Sequence, residues 1–239
     1  METSGYATLT RQSGLMREMQ VVANNIANAA TTGFRQEGLI FAEHVQRMGE
    51  GASLSMATAK VHHTSMLQGA LTQTAGRLDF AIEGEGFFLV ETPAGERLSR
   101  AGSFALSAEG DLVTADGFRV LDAGGAPVFV PPDAPDIGVS PDGTVSSGGR
   151  PLAQIGLVRP LDPAGLERED GVMFRADAGH EPAPDGRILQ GFLEGANVDP
   201  VGQVARMIEI QRAYEMGQSF LDAENDRMRS ALQTLSQSR

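Results

Sequence analysis

The stretch VVANNIANAATTGFRQ, residues 21–36, reads as a helix for most of its length, yet it holds three asparagines and no charge until Arg35. A helix facing solvent normally carries a charged side. At about 3.6 residues per turn, Leu15, Met19, Val22, Ile26 and Ala29 form an apolar stripe with spacings of four and three. Asn25 and Asn28 flank that stripe beside Val21, while Asn24 points away. Every face of this segment is apolar, small or neutral-polar, which suits a helix packed on several sides. That packing could lie within its own fold, with the asparagines bonded internally, or against other molecules; the residues alone leave both readings open. Working back, Ser4 is a plausible N-cap; working forward, Thr31, Thr32 and Gly33 follow Ala30, and glycine is suited to closing a helix in the left-handed region.

A second long helix is expected at the other end. In NVDPVGQVARMIEIQRAYEMGQSF, Asp199 is placed to cap and Pro200 to occupy the first helical position, where a missing N–H costs nothing. Met207, Ile210, Tyr214, Gly217, Leu221, Glu224, Met228, Ala231 and Leu235 keep the three-four alternation, with Glu224 the one charged member. Gly217 on this seam and Gly14 in the first helix would each weaken their helix by about 1 kcal/mol relative to alanine.

Between the helices, short apolar runs (FFLV, FRVLD, PVFVP, IGLVRP) alternate with PAGE, AEGD, ADG, AGGAP and PDG. Turn signals every 8 to 12 residues or so predict a meandering β domain. The expected class is therefore α+β. Residues 1–35 and 191–239 supply paired, coiled-coil-like terminal helices, 36–77 a partly extended connector, and 78–190 a β-rich domain. Helices at opposite ends of a chain can pair with each other, but two helices bury only a narrow seam and need neighbours.

Composition narrows the function. With 29 glycines, 12 prolines, no tryptophan and a formal charge of −12, the chain is turn-rich and acidic. Nucleic-acid binding draws on clustered Lys and Arg, so that class is excluded. No cysteine is present, which removes disulfides, thiol catalysis and thiolate metal sites together. The first residues show no basic-then-apolar secretory signal, and no stretch is long and apolar enough to span a membrane.

Catalytic chemistry finds no support either. His62 and His63 would point to opposite sides of a strand and could not share one metal. The glycines of EGEGFF, residues 83–88, lead into an apolar strand instead of opening a helix, so they read as a tight turn and not as a phosphate loop. The Asp-Gly and Glu-Gly pairs lack the alternating ligands of a calcium loop, and no nucleophile elbow occurs. No enzyme, cofactor or metal site is expected. A secreted β-domain enzyme or adhesin would need a catalytic constellation or a signal peptide.

The residues do match a known pattern. ANNIANAATTGF, residues 23–34, resembles the N-terminal signature of the flagellar rod, hook and hook-associated axial proteins, and LEGANVDPVGQVARMIEIQRAYEM, residues 193–216, resembles their C-terminal signature. The likeness continues through GRLDFAIEGEGFFLVET, LSRAGSFALSAEGDLVTADGFRVL and VSPDGTV. It implies a structural subunit whose terminal helices line a hollow axial tube with the β domain outside. The short chain excludes the hook protein and the larger hook-associated proteins. A proximal-rod subunit fits best, with the distal-rod subunit as the alternative.

Implied partners are further copies, the distal-rod protein, other proximal-rod proteins and the flagellar type III export apparatus. The implied location is the basal-body rod in the periplasm. The candidate assembly interface comprises Leu15, Met19, Val22, Asn24, Asn25, Ile26, Asn28, Thr32 and Phe34, with Met207, Ile210, Gln211, Tyr214, Leu221, Met228 and Leu235.

Overall fold

The structure, a computed structural model, describes residues 2–48, 52–134, 136–169 and 171–237; the side-chain surroundings of 2–7, 41–62, 231–232 and 235–237 lie outside that description. Its class is α+β: an N-terminal helix, a largely β central region and a C-terminal helix.

Helix α1 spans Glu2–Ala27 and helix α2 spans Pro200–Gln237. The start of α2 follows from its sequence, since the Asp199 carboxylate accepts the Val201 N–H at 3.1 Å. The ends of α1 differ from the reading above. Ser4 lies inside the helix, and the helix stops three residues before Ala30. At that point Asn28 competes with the helical ladder: its carbonyl accepts the Thr31 N–H at 3.0 Å and its side chain accepts the Thr31 hydroxyl at 3.2 Å. Gly33, at φ +71°, closes the turn that follows, not the helix itself.

The chain folds as two compact units. One contains α1, α2 and residues 37–63, where strands Glu37–Met48 and Ala52–Thr64 form a two-stranded sheet. The other contains residues 28–36 and 64–198.

In this second unit, Phe87–Thr92 is the central strand of a nine-stranded antiparallel sheet, with Gly95–Ser99, Arg119–Leu121 and Leu157–Pro160 as its neighbours. Both of its faces are buried, which explains the unbroken apolar run FFLV. Phe88 points into a cluster with Phe80, Phe104, Val120 and Ile188; Phe87 and Leu89 point into another with Leu98, Leu121 and Phe174. Edge-to-face rings tie each cluster, Phe88 with Phe104 at 5.2 Å and Phe87 with Phe174 at 5.9 Å between centroids. PAGE, AEGD, ADG, AGGAP and the PDG of residues 141–143 form turns in which Gly95, Gly110, Gly117, Gly125 and Gly143 take positive φ. Smaller antiparallel pairs join Phe80–Glu83 to Arg187–Gln190 and Leu71–Gln73 to Phe192–Glu194.

Candidate assembly surfaces

In the helical unit, α1 and α2 run antiparallel. Gln12 donates to the Tyr214 carbonyl at 3.3 Å, Arg206 donates to Glu18 at 2.8 Å, and Asn25 donates to the Gln203 side chain at 3.3 Å. Those three contacts fix the register along the pair. Gly217, which looked costly, sits where the helices meet, since a Cβ there would lie 3.0 Å from Gln12 Nε2, and Gly14 is buried. Arg206, with its side chain half exposed, has its pKa raised, first by the hydrogen bond to Glu18 and then by Glu209.

Along α2 the sheltered positions are Gln203, Met207, Ile210, Tyr214, Gly217, Leu221 and Glu224, following the expected alternation, together with Ala213, and Ile210 is fully buried. On α1, Leu15, Met19 and Ile26 are half-buried and Val22 is buried. Asn25, at the flank of the stripe, is buried, only 1% exposed. Its side-chain amide pairs with both backbone groups of Glu37, accepting the N–H at 3.0 Å and donating to the carbonyl at 2.8 Å. One asparagine thus imitates a strand neighbour for the first residue of Glu37–Met48 and contacts α2 as well. Asn24 and Gln211 are exposed, Asn28 and Thr32 are half-buried, and the Leu235 side chain lies outside the described residues.

More apolar surface is left over than a lone helix pair requires. Val201, Val204 and Ile208 lie outside the seam at spacings of three and four, and all are exposed, as are Met216, Phe220 and Met228. Leu15, Gly217, Met216 and Phe220 line a groove of about 360 Å³ on the helix pair.

Phe34 belongs to the β unit, where it is 1% exposed. Arg168 is sandwiched between two rings, 4.3 Å from the Phe34 centroid and 4.7 Å from that of Phe174. Next to it, Glu194 holds two buried arginines, Arg35 at 2.9 Å and Arg100 at 3.0 Å, and all three side chains are at most 4% exposed. Burial, reinforced by Arg100, lowers the Arg35 pKa to about 10, against the opposing pull of Glu194; burial likewise lowers Arg100. Arg35 stays cationic at neutral pH. Asn197 completes the cluster, with its side chain accepting the Gln36 N–H and donating to the carbonyls of Ser65 at 3.2 Å and Leu67 at 2.7 Å. Sequence reading missed Arg35, Arg100, Arg168, Glu194 and Asn197 as partners because they are far apart in the chain. The one available signal was that Arg35 is the sole charge in an otherwise neutral stretch.

Three family models match this chain: "Flagella basal body rod protein" over residues 7–35, "Flagellar hook protein FlgE/F/G D1 domain" over 81–147, and "Flagellar basal body rod FlgEFG protein C-terminal" over 189–234. Among curated relatives, the flagellar basal-body rod protein FlgF of Caulobacter vibrioides is 39% identical over 98% of both chains. The FlgF of Rhizobium meliloti is 34% identical over 100% of both. The rod protein FlgG of Bacillus subtilis is 30% identical over 95% of this chain and 96% of its own. The chain therefore belongs to the flagellar basal-body rod family, a family of structural proteins and not of enzymes, and stands with its FlgF rather than its FlgG members.

Proposed function

We propose that this chain is a proximal-rod subunit that assembles helically through its terminal helices, forming part of the hollow shaft that transmits torque and passes exported proteins. Family membership supports a structural rod role in the flagellar basal body, assembled with other rod subunits. The observation that carries the mode of assembly is the surplus apolar surface of α2: its seam already meets α1, yet Val204, Ile208, Met216 and Phe220 stay exposed. Val204 with Ile208, and Met216 with Phe220, are pairs one turn apart, and exposed apolar patches mark contact surfaces. In the assembled rod they pack on helices of neighbouring subunits in a coiled-coil-like inner layer, with the β unit outside. Head-to-tail contacts that do not close into a ring generate such a shaft.

Neighbours in this reading are further copies, other proximal-rod proteins and the distal-rod protein. The subunit reaches the periplasmic rod through the flagellar type III export apparatus. No helix among the described residues is long and apolar enough to cross a membrane.

The test is a chain carrying Val204→Asp and Ile208→Asp, made in cells lacking the native copy. Because both side chains are exposed in the free chain, its thermal unfolding is expected to match the parent while basal bodies lack a completed rod and motility is lost. Normal rods built from the doubly substituted chain would sink the proposal.

A further inference from the structure

We propose that Gln203 is a positioning residue for the Asn25 carboxamide, and that through it the pairing of the terminal helices stabilises the strand pair of residues 37–64. The inference goes beyond the rod reading and does not depend on it. Three elements of the helical unit meet at one amide. Asn25 lies in the last turn of α1, Gln203 in the first turn of α2, and Glu37 is the first residue of the strand Glu37–Met48. The Asn25 amide nitrogen carries two hydrogens, and both are placed: one on the Glu37 carbonyl at 2.8 Å, the other on the Gln203 side-chain oxygen at 3.3 Å. The Asn25 oxygen accepts the Glu37 N–H at 3.0 Å. Both Asn25 and Glu37 are buried, so a bond lost here is not made good by water without cost.

The strands need such support. Among the described residues, Glu37–Met48 and Ala52–Thr64 form a sheet of two strands only, and a sheet of that size is marginal in water by itself. Helix α1 lies beside the first strand, and Asn25 offers the backbone of Glu37 an acceptor and a donor, as a third strand would. That pairing requires one orientation of the carboxamide. Turned by half a revolution, the amide would set its oxygen against the Glu37 carbonyl and its nitrogen against the N–H. Gln203 opposes the turn, because its oxygen accepts only from the nitrogen side. The orientation that α2 favours is therefore the one that pairs Glu37. Helix pairing and strand pairing then favour each other by the same factor. One hydrogen bond of this kind changes an equilibrium constant by about 2–10-fold.

Amide hydrogen exchange on the purified full chain tests the link. Gln203→Glu keeps an acceptor oxygen, whereas Gln203→Lys offers donors alone; position 203 is half-buried, so a lysine there can reach water. With Gln203→Lys, the amides of residues 38–48 and 52–63 are expected to exchange about 2–10-fold faster while those of 71–190 keep the parental rate. With Gln203→Glu, both sets are expected to keep it. In a chain that already carries Asn25→Ala, Gln203→Lys is expected to add nothing in the strands. No acceleration in the strands with Gln203→Lys, whether or not the first turns of α2 exchange faster, overturns the proposal and leaves Gln203 as a support of its own helix. Gln203→Glu matching Gln203→Lys overturns it, because the acceptor oxygen is then irrelevant. An undiminished effect of Gln203→Lys in the Asn25→Ala chain overturns it as well, because the effect then bypasses Asn25.

Discussion

Replacing Glu194 by glutamine should be the most damaging single change in the β unit. The side chain is 1% exposed and is the shared anion for Arg35 and Arg100, whose side chains are 2% and 4% exposed. Removing one partner of a buried ion pair costs about 3–5 kcal/mol, because a charge is left without compensation. Here two guanidiniums are stranded together, and burial already lowers the proton affinity of each. An unfolding shift of roughly 6–20 °C follows, taking about 2–4 °C per kcal/mol for a protein of this size. By contrast, Arg35→Met leaves Glu194 paired with Arg100, and Arg100→Met leaves it paired with Arg35, so either should cost less. Combining Glu194→Leu with Arg35→Met and Arg100→Met should recover much of the loss, since well-packed apolar replacements of buried ion clusters are often neutral or stabilising. Urea unfolding followed by amide hydrogen exchange at residues 64–198 reads the β unit directly. Glu194→Gln unfolding within about 1 kcal/mol of the parent, or no worse than Arg35→Met, would refute this account of the cluster.

Two further substitutions probe the opening stretch. Asn25→Leu removes the side chain that bonds both backbone groups of Glu37, a loss of about 1–3 kcal/mol; helix signal at 222 nm should melt earlier while the β unit keeps its unfolding midpoint. Gly33→Ala places a Cβ 2.3 Å from the Ala101 nitrogen at a φ of +71°. Left-handed strain and overpacking together should cost about 2–5 kcal/mol, seen as a lower urea midpoint.

The parts of the fold written in local patterns were legible beforehand. Asp199 and Pro200 start α2 where capping chemistry puts them, and the three-four alternation marks its sheltered face as far as Glu224. The glycine turns fall where the Asp-Gly and Glu-Gly pairs placed them. What was not legible depends on distant partners. Asn25 lies beside the stripe on a helical wheel, but the wheel knows nothing of Glu37, whose backbone is what Asn25 bonds. Similarly, the early end of α1 follows from how Asn28 and Thr31 bond to each other, a competition that helical periodicity does not register. The arginine cluster joins positions 35, 100 and 194, and no spacing rule links residues so far apart.

That cluster also determines how the β unit carries load. The Gly33 N–H meets the Glu194 carbonyl at 2.8 Å, and the Asn197 N–H meets the Phe34 carbonyl at 3.3 Å. Residues 33–34 and 194–197, close to two of the four places where the chain passes between the units, are thereby fastened to each other beside their ion pairs. A pull between these two segments meets this short bridge before it reaches the sheets.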